Sequence, residues 1–295
     1  MIIGIEIGGT NFRIGALDKN NIINSYKKLS IRDVIKSNDI LSDLKYTIEN
    51  NFKDIKIDAI SIGIPGTLDA DRKIVVQVPN IKGFDNVNIV DYLNEYFNVP
   101  VFIERDVNML IKYDLFDNKI DDKGIVIAFY YGTGIGNAIV INGEIYTGKD
   151  GAAGEVGHIP VDNCYEECGC GNIGCIEAIA GGKYLAKLQK EKYPNTHISN
   201  MFVEHTKDPE IIKFINRMAI ALATEINILN PNKILLGGGV INMKSFPFDL
   251  FFSELKKHVR KPYPYETLDI TIARNNEQAG VIGACLYAKN KLGVN

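Results

Sequence analysis

Cysteine is scarce in this chain, five among 295 residues, and no secretory leader precedes them, so an oxidised disulfide framework is not expected. The opening Met1-Ile2-Ile3-Gly4-Ile5-Glu6 has no basic n-region and reads as a first strand. No apolar run is long enough to cross a bilayer. Charge of one sign is not in excess either: a net −3 offers no electrostatic footprint for nucleic acid. Linker-like and low-complexity stretches are missing, as are G-x-x-x-x-G-K-[ST] and any G-x-G-x-x-G between strand and helix, which excludes the P-loop and the dinucleotide fingerprint. The expectations are a cytoplasmic protein with neither nucleic acid nor membrane as partner. Hydrophobic content of 46 % and charged content of 23 % are ordinary for a globular chain of about two domains.

What the chain does have is a knot of borderline and soft ligands between Gly154 and Glu177, G-E-V-G-H-I-P-V-D-N-C-Y-E-E-C-G-C-G-N-I-G-C-I-E. His158, Cys168, Cys170 and Cys175 make a full tetrahedral set for zinc, with no position left for water, so the metal is expected to hold backbone and not to hydrolyse. Glycines 169, 171 and 174 let three sulfurs converge. Glu155 and Glu177 bracket the knot, and the metal reads as the clamp that aims these carboxylates into a pocket. A reduced cluster without metal and a set of disulfides are the alternatives; Cys164 reads as a bystander.

Periodicity supplies the elements. Strands are expected at Ile2–Ile7, Phe12–Leu17, Ile22–Lys28, Ile57–Ile64, Val101–Ile103, Gly124–Tyr131, Asn137–Ile141, Lys233–Leu236 and Leu268–Ala273. Helices are expected over 32–52, 89–97, 107–116, 210–229, 245–259 and 277–292, the last with a small-residue face of Ala279, Gly280, Gly283 and Ala284. The stretches G-I-E-I-G-G-T-N-F-R-I-G-A-L and I-A-F-Y-Y-G-T-G-I-G-N-A-I-V-I share one plan, strand, glycine turn with threonine, strand, and so suggest two related domains. Three glycine turns follow apolar strands: Gly8-Gly9-Thr10, Gly132-Thr133-Gly134 and Gly237-Gly238-Gly239. Such turns close hairpins, or they cradle phosphate with backbone N–H groups.

With I-E-I-G-G-T-N, I-G-I-P-G, E-R-D-V-N, G-T-G-I-G, G-E-V-G-H, C-G-C-G-N-I-G-C-I-E and L-G-G-G-V all in order, the chain resembles the ROK (repressor, open reading frame, kinase) family over essentially its whole length. Within that family it is most similar to the members that phosphorylate D-allose. The resemblance implies an α/β protein with the two-domain actin-like ATPase (ribonuclease H-like) fold and a central nucleotide and sugar cleft. It places an N-terminal domain at 1–107, completed by a C-terminal helix at about 279–295, and a second domain at 108–278. It implies an ATP-dependent sugar 6-kinase with Asp106 as general base. Asn80, Arg105, Glu155, His158 and Glu177 would face the sugar. Gly8, Gly9, Thr10, Gly132, Thr133 and Gly134 would hold phosphates, and Gly237, Gly238 and Gly239 would lie against the nucleoside. Magnesium would arrive with ATP, zinc would be structural, and a homodimer is expected.

Taken by itself, Asp106 is also a good helix N-cap. Two positions depart from the family pattern. Arg105 stands where most family kinases have asparagine, and Glu6 stands where they have aspartate. Arg105 is the candidate for reading the inverted C3 hydroxyl of allose, because a guanidinium carries several fixed donors. Glucose and N-acyl amino sugars are the competing substrates. A sugar-sensing repressor is a competing class, expected to need an N-terminal DNA-binding segment ahead of the Gly8 turn.

Overall fold

The computed structural model describes residues 1–78 and 81–294. The chain forms two compact units, one of Met1–Asp121, Thr147–Ala153 and Asn276–Asn295, the other of Asp122–Tyr146 and Gly154–Asn275. In chain order the first unit has β1 (Ile2–Ile7), β2 (Asn11–Leu17), β3 (Ile23–Ser30), α1 (Ile31–Val34), α2 (Ile40–Asn51), β4 (Ala59–Ile64), β5 (Thr67–Leu68), β6 (Ile74–Gln77), β7 (Val87–Asn88), α3 (Ile89–Phe97), β8 (Val101–Arg105) and α4 (Asp106–Asp117). The second has β9 (Ile125–Tyr131), β10 (Ile135–Ile141), β11 (Glu144–Ile145), a 3-10 turn at Val156–His158, α5 (Glu177–Ala180), α6 (Gly182–Lys192), α7 (Met201–Glu204), α8 (Pro209–Leu229), β12 (Lys233–Gly237), α9 (Phe248–His258) and β13 (Ile270–Ile272). The chain then returns to the first unit as α10 (Ala279–Leu292).

The duplicated sequence plan becomes a duplicated sheet. One sheet runs β3-β2-β1-β4-β8 and the other β11-β10-β9-β12-β13. In both, a glycine-turn hairpin is antiparallel and the next two strands are added parallel. The parallel strand β4, A-I-S-I-G-I, is buried at every position, as expected when helices cover both faces. Asn142 and Gly143 both have positive φ, 50° and 85°, which closes the β10–β11 hairpin in the turn whose twist matches the strands.

The helix expected over 32–52 is instead two. Asp43 accepts from the Lys36 and Ser37 amides at 2.9 and 2.8 Å, and Asp39 accepts from Ser42 N–H at 3.1 Å. Carboxylates thus take amides that a continuous helix needs for its own ladder, and a new N-cap starts α2. Helix α8 is bounded as its residues dictate, with Asp208 capping, Pro209 in the first turn and Asn230 left-handed at the C-cap.

Helix α4 lies in the first unit, beyond the boundary at 107 read from sequence, because it packs on α10 and β4. Small residues make that packing close. A Cβ on Gly283 would strike the Met109 carbonyl of α4, one on Gly4 would strike the Val281 carbonyl, and one on Gly280 would strike the Glu6 carboxylate.

The core of the second unit buries one carboxyl that has no cation beside it. Glu225 of α8 accepts from Asn137 Nδ2 at 2.7 Å and is 5 % exposed. Burial pushes its pKa up to about 8, with the Asn137 hydrogen bond opposing. The unfolded chain releases this proton near 4.5 and the folded chain near 8. Across that window the unfolded state binds fewer protons, so the group lowers stability as pH rises from about 4.5 to 8. Glu225→Gln is therefore expected to melt well above the parent at pH 8 and close to it at pH 4.5. Parallel melting curves at the two pH values would contradict the burial of a protonated carboxyl.

Candidate functional site

The four candidate metal ligands meet. One donor atom from each of His158, Cys168, Cys170 and Cys175 lies within 4.8 Å of the others. Cys170 Sγ is 3.7 Å from Cys175 Sγ, and Cys168 Sγ is 3.5 Å from His158 Nδ1. A tetrahedral zinc with Zn–S of about 2.3 Å and Zn–N of about 2.0–2.1 Å sets S···S at about 3.8 Å and N···S at about 3.6 Å. The cluster has those spacings, and it is much too open for a disulfide bond; all five cysteines are free.

Two short bridges, Pro160 with Cys175 and Glu167 with Ile173, draw the loop into a ring. Gly171 and Gly174 turn it at φ 93° and 92°, whereas Gly169 is not left-handed. Burial raises Cys168, and burial with hydrogen bonds from Cys170 and Cys168 pushes Cys175 up to about 12, while backbone at Asn172 draws Cys170 down. Three sulfurs this close do not ionise together without a cation among them, and that charge is what a bound metal supplies. Cys164 stays apart, its Sγ 3.9 Å from the Cys175 carbonyl.

The knot orients its neighbours. With Nδ1 turned to the sulfurs, His158 points Nε2 outward, 3.4 Å from Glu155 Oε2. Glu177, the first residue of α5, accepts from Ile135 N–H through Oε2 at 2.7 Å. A Cβ on Gly134 would strike this carboxylate. Glu177 therefore ties the metal loop to the Gly132-Thr133-Gly134 turn, a link that sequence reading missed and that nothing in the spacing signals. Gly238, at φ 96°, lies on the Tyr131 backbone, and Val240 N–H donates to the Tyr131 carbonyl at 2.8 Å. Gly132–Gly134 and Gly237–Gly239 thus adjoin at the ends of neighbouring parallel strands, where open α/β sheets bind ligands. Helix α6 starts against the same turn, Gly182 N–H donating to the Gly132 carbonyl and Lys183 N–H to that of Thr133.

In the first unit, Gly8 N–H donates to Asn11 O at 2.8 Å and leaves Gly9 and Thr10 exposed. Asp106 is the first residue of α4, half-buried at the end of β8, with Oδ1 accepting from Val107 N–H at 2.8 Å. Arg105 occupies the N-cap, so Asp106 is not the cap. Arg105 is buried and donates from Nη1 to the Ala153 carbonyl at 2.8 Å.

Beneath it, buried Glu104 accepts from Arg72 Nε at 3.0 Å, Arg105 N–H at 2.9 Å and Asn108 Nδ2 at 3.0 Å. Arg72 also reaches the Gly151 carbonyl at 3.2 Å. The two arginines together hold the Thr147–Ala153 segment, a role the sequence did not reveal. Glu6 pairs with Arg13 at 2.8 Å; burial raises its carboxyl above the ordinary range, with Arg13 opposing and the charge of Asp106 adding. Asn80 lies outside the described residues.

A family model described as the ROK family matches residues 2–291. A glucokinase from Thermotoga maritima is 27 % identical, the match covering 99 % of this chain and 98 % of that protein. A putative xylose repressor from Caldicellulosiruptor sp. is 28 % identical over 96 % of this chain and 76 % of its own length. Among solved structures, a ROK family glucokinase from Streptomyces griseus in complex with glucose and AMPPNP superposes with a TM-score of 0.79 at 24 % identity, covering 98 % of this chain and 99 % of that one. The α/β architecture with its paired sheets matches the two-domain actin-like ATPase fold of these proteins. Among the described residues, no helix is long and apolar enough to cross a membrane.

If the cluster holds zinc, elemental analysis of the purified protein is expected to find one zinc per chain, and Cys170→Ser is expected to lose it. A protein that stays folded and active with no bound metal would contradict the assignment.

Proposed function

Because the chain belongs to the ROK family, we propose that it is an ATP-dependent kinase acting on the 6-hydroxyl of a hexose. The observation that carries this reading is Asp106, a half-buried carboxylate at the end of a parallel strand and the start of a helix. The end-to-end likeness to a glucokinase supports it.

Phosphoryl transfer asks little covalent work of a protein; positioning and charge stabilisation dominate. Asp106 would accept the hydroxyl proton as the sugar oxygen attacks the γ-phosphorus. The bond from that phosphorus to the β-phosphate oxygen breaks, leaving sugar 6-phosphate and ADP. One oxygen of Asp106 is steadied by Val107 N–H, which holds the carboxylate in place while the other takes the proton.

A sugar has no charge, so selectivity must come from paired donors and acceptors. Arg105, Glu155, His158 through Nε2, and Glu177 would supply them, and Asn80 is assigned with them from the sequence alone. The second-unit turns Gly132–Gly134 and Gly237–Gly239, and Gly8–Thr10 of the first unit, would take the nucleotide. Magnesium bound with ATP would neutralise phosphate charge. Among the described residues the only gathering of potential ligands is the Cys3His set, and Glu6 already pairs with Arg13. The ion would therefore rest mainly on phosphate and water, as is usual for magnesium. Zinc would stay structural, fixing His158 and the run into Glu177.

Among hexoses the reading favours D-allose, resting on Arg105, whose planar guanidinium carries several fixed donors and gives one to the Ala153 carbonyl. Glucose and N-acyl amino sugars are the alternatives within the same mechanism. The likeness to a xylose repressor keeps a sugar-binding regulator as a second reading.

A panel of aldohexoses with ATP is expected to give the highest kcat/KM for allose. A far higher value for glucose would overturn the choice of sugar and leave the kinase standing, whereas sugar binding with no ADP formed would favour the regulator. Asp106→Asn is expected to keep sugar binding and lose about 10²–10⁴-fold in kcat. Turnover like that of the parent would remove Asp106 from the role of base.

A further inference from the structure

Glu155 and His158 sit on one short loop, Gly154–His158. Two hydrogen bonds are internal, His158 N–H to the Glu155 carbonyl at 2.9 Å and Ile159 N–H to that of Val156 at 3.3 Å. What lies underneath is Asn137, in the middle of β10. Gly154 has φ 82°, and a Cβ there would come within 2.7 Å of Asn137 Oδ1 and 3.0 Å of its carbonyl oxygen. The backbone immediately before Glu155 therefore rests directly on the Asn137 side chain.

Asn137 is in turn fixed from below. Its Nδ2 donates both hydrogens, one to the Ala128 carbonyl at 3.0 Å and one to Glu225 Oε2 at 2.7 Å. Asn137 is completely buried, and its Oδ1, the atom against Gly154, makes no hydrogen bond. An orphaned buried acceptor and a buried carboxyl with no cation are both costly to keep. Neither takes part in the chemistry proposed above. The 3-10 turn Val156–His158 packs on β10 and on α8, the two elements that carry this pair.

We propose that Asn137 and Glu225 form a positioning pair, a buried strut that sets the Gly154–His158 loop, and with it Glu155 and His158, at the height the hexose needs. The proposal rests on the reading that Glu155 and His158 take the sugar. The strut works while Glu225 carries its proton, because a neutral carboxyl stays in the core beside the amide. On ionisation the carboxylate seeks water, the amide follows it, and the loop above loses its floor.

The charged and titratable groups on elements packed against α8 are Glu155 and His158 at the 3-10 turn, Glu177 on α5, and Asp249, Glu254, Lys256, Lys257 and His258 on α9. Glu254 is paired with Lys257 at 2.6 Å, and His258 with Asn216 of α8 at 2.6 Å. From β9, Tyr131 donates its hydroxyl to the Met218 carbonyl at 2.7 Å and is raised well above its ordinary range by burial and by the charge of Glu225. Tyr131 therefore stays neutral throughout the range in which Glu225 titrates near 8.

The test is hydrogen exchange of the His158 and Ile159 amides from pH 6 to pH 9, normalised to the intrinsic rate, in the parent, Glu225→Gln and Asn137→Ala. In the parent the normalised exchange is expected to rise about tenfold between pH 7 and pH 9 as Glu225 ionises. In Glu225→Gln, which keeps the shape and an acceptor, it is expected to stay flat. Asn137→Ala is expected to exchange fast at every pH. In steady state, KM for the hexose should climb with pH in the parent and not in Glu225→Gln, with kcat less affected. Identical exchange in all three proteins at all pH values would overturn the proposal. The exchange measurement needs no sugar, so a parent that shows this pattern but phosphorylates no hexose would count against the kinase reading alone.

Discussion

Three sulfurs and an imidazole held within 4.8 Å of one another are unstable neighbours unless something positive sits among them. Much of the second unit follows from that constraint. The ring from His158 to Cys175 has little regular structure, only two single bridges and a few turn hydrogen bonds, and a loop of this kind has too small a core to stay folded unaided. Closing it at four points fixes both ends. At one end His158 turns Nε2 outward beside Glu155. At the other, Ile176 and Glu177 enter α5 with the Glu177 carboxylate on the Ile135 amide. A metal bound among these four groups would thereby act on the glycine turn after β9 through a single hydrogen bond.

The two sheets place their chemistry by the same rule. In each, a hairpin and two parallel strands leave carboxyl ends together, and backbone turns there with little side chain in the way. The first sheet uses its ends for acids: Glu6 near the end of β1, Glu104 within β8 and Asp106 just beyond it. Two of these are neutralised by arginine, Glu6 by Arg13 and Glu104 by Arg72. Asp106 is the one that begins a helix, where the amide dipoles favour a negative charge. The second sheet uses its ends for glycine, and the absence of Cβ atoms lets Gly238 lie on Tyr131 and Gly182 on Gly132.

Arg105, a departure from the family pattern, is a fastener in the fold, donating to Ala153 just before the Gly154–His158 loop. The Glu104–Arg72 pair beneath it is nearly dry, and such a pair is held by its hydrogen bonds more than by net charge attraction. The Thr147–Ala153 segment is thereby bound to the first unit, although the strand before it and the loop after it belong to the second.

The sequence by itself determined most of the elements and the grouping of His158, Cys168, Cys170 and Cys175, because both are written in local spacing. Apolar runs beside glycine turns marked β1, β2, β9 and β10, a three-and-four repeat marked α8, and Cys-x-Cys followed by a third cysteine, with a histidine upstream, marked the cluster. The repeat of one hairpin plan suggested two related domains, and the two sheets do share an order. It overran at 32–52, where Asp39 and Asp43 take backbone amides, since a hydrophobic period does not report side chains that compete for N–H groups. Tertiary structure alone decided which distant groups meet: Glu177 with Ile135, Glu225 with Asn137 beneath Gly154, Arg72 and Arg105 with the 147–153 backbone, Gly280 with Glu6. These partners lie 42, 88, 79 and 48 positions apart or more, and no periodicity links residues so far apart. Their pairing is set by which helix covers which strand, and burial then makes every polar group find a partner or bear the cost of having none.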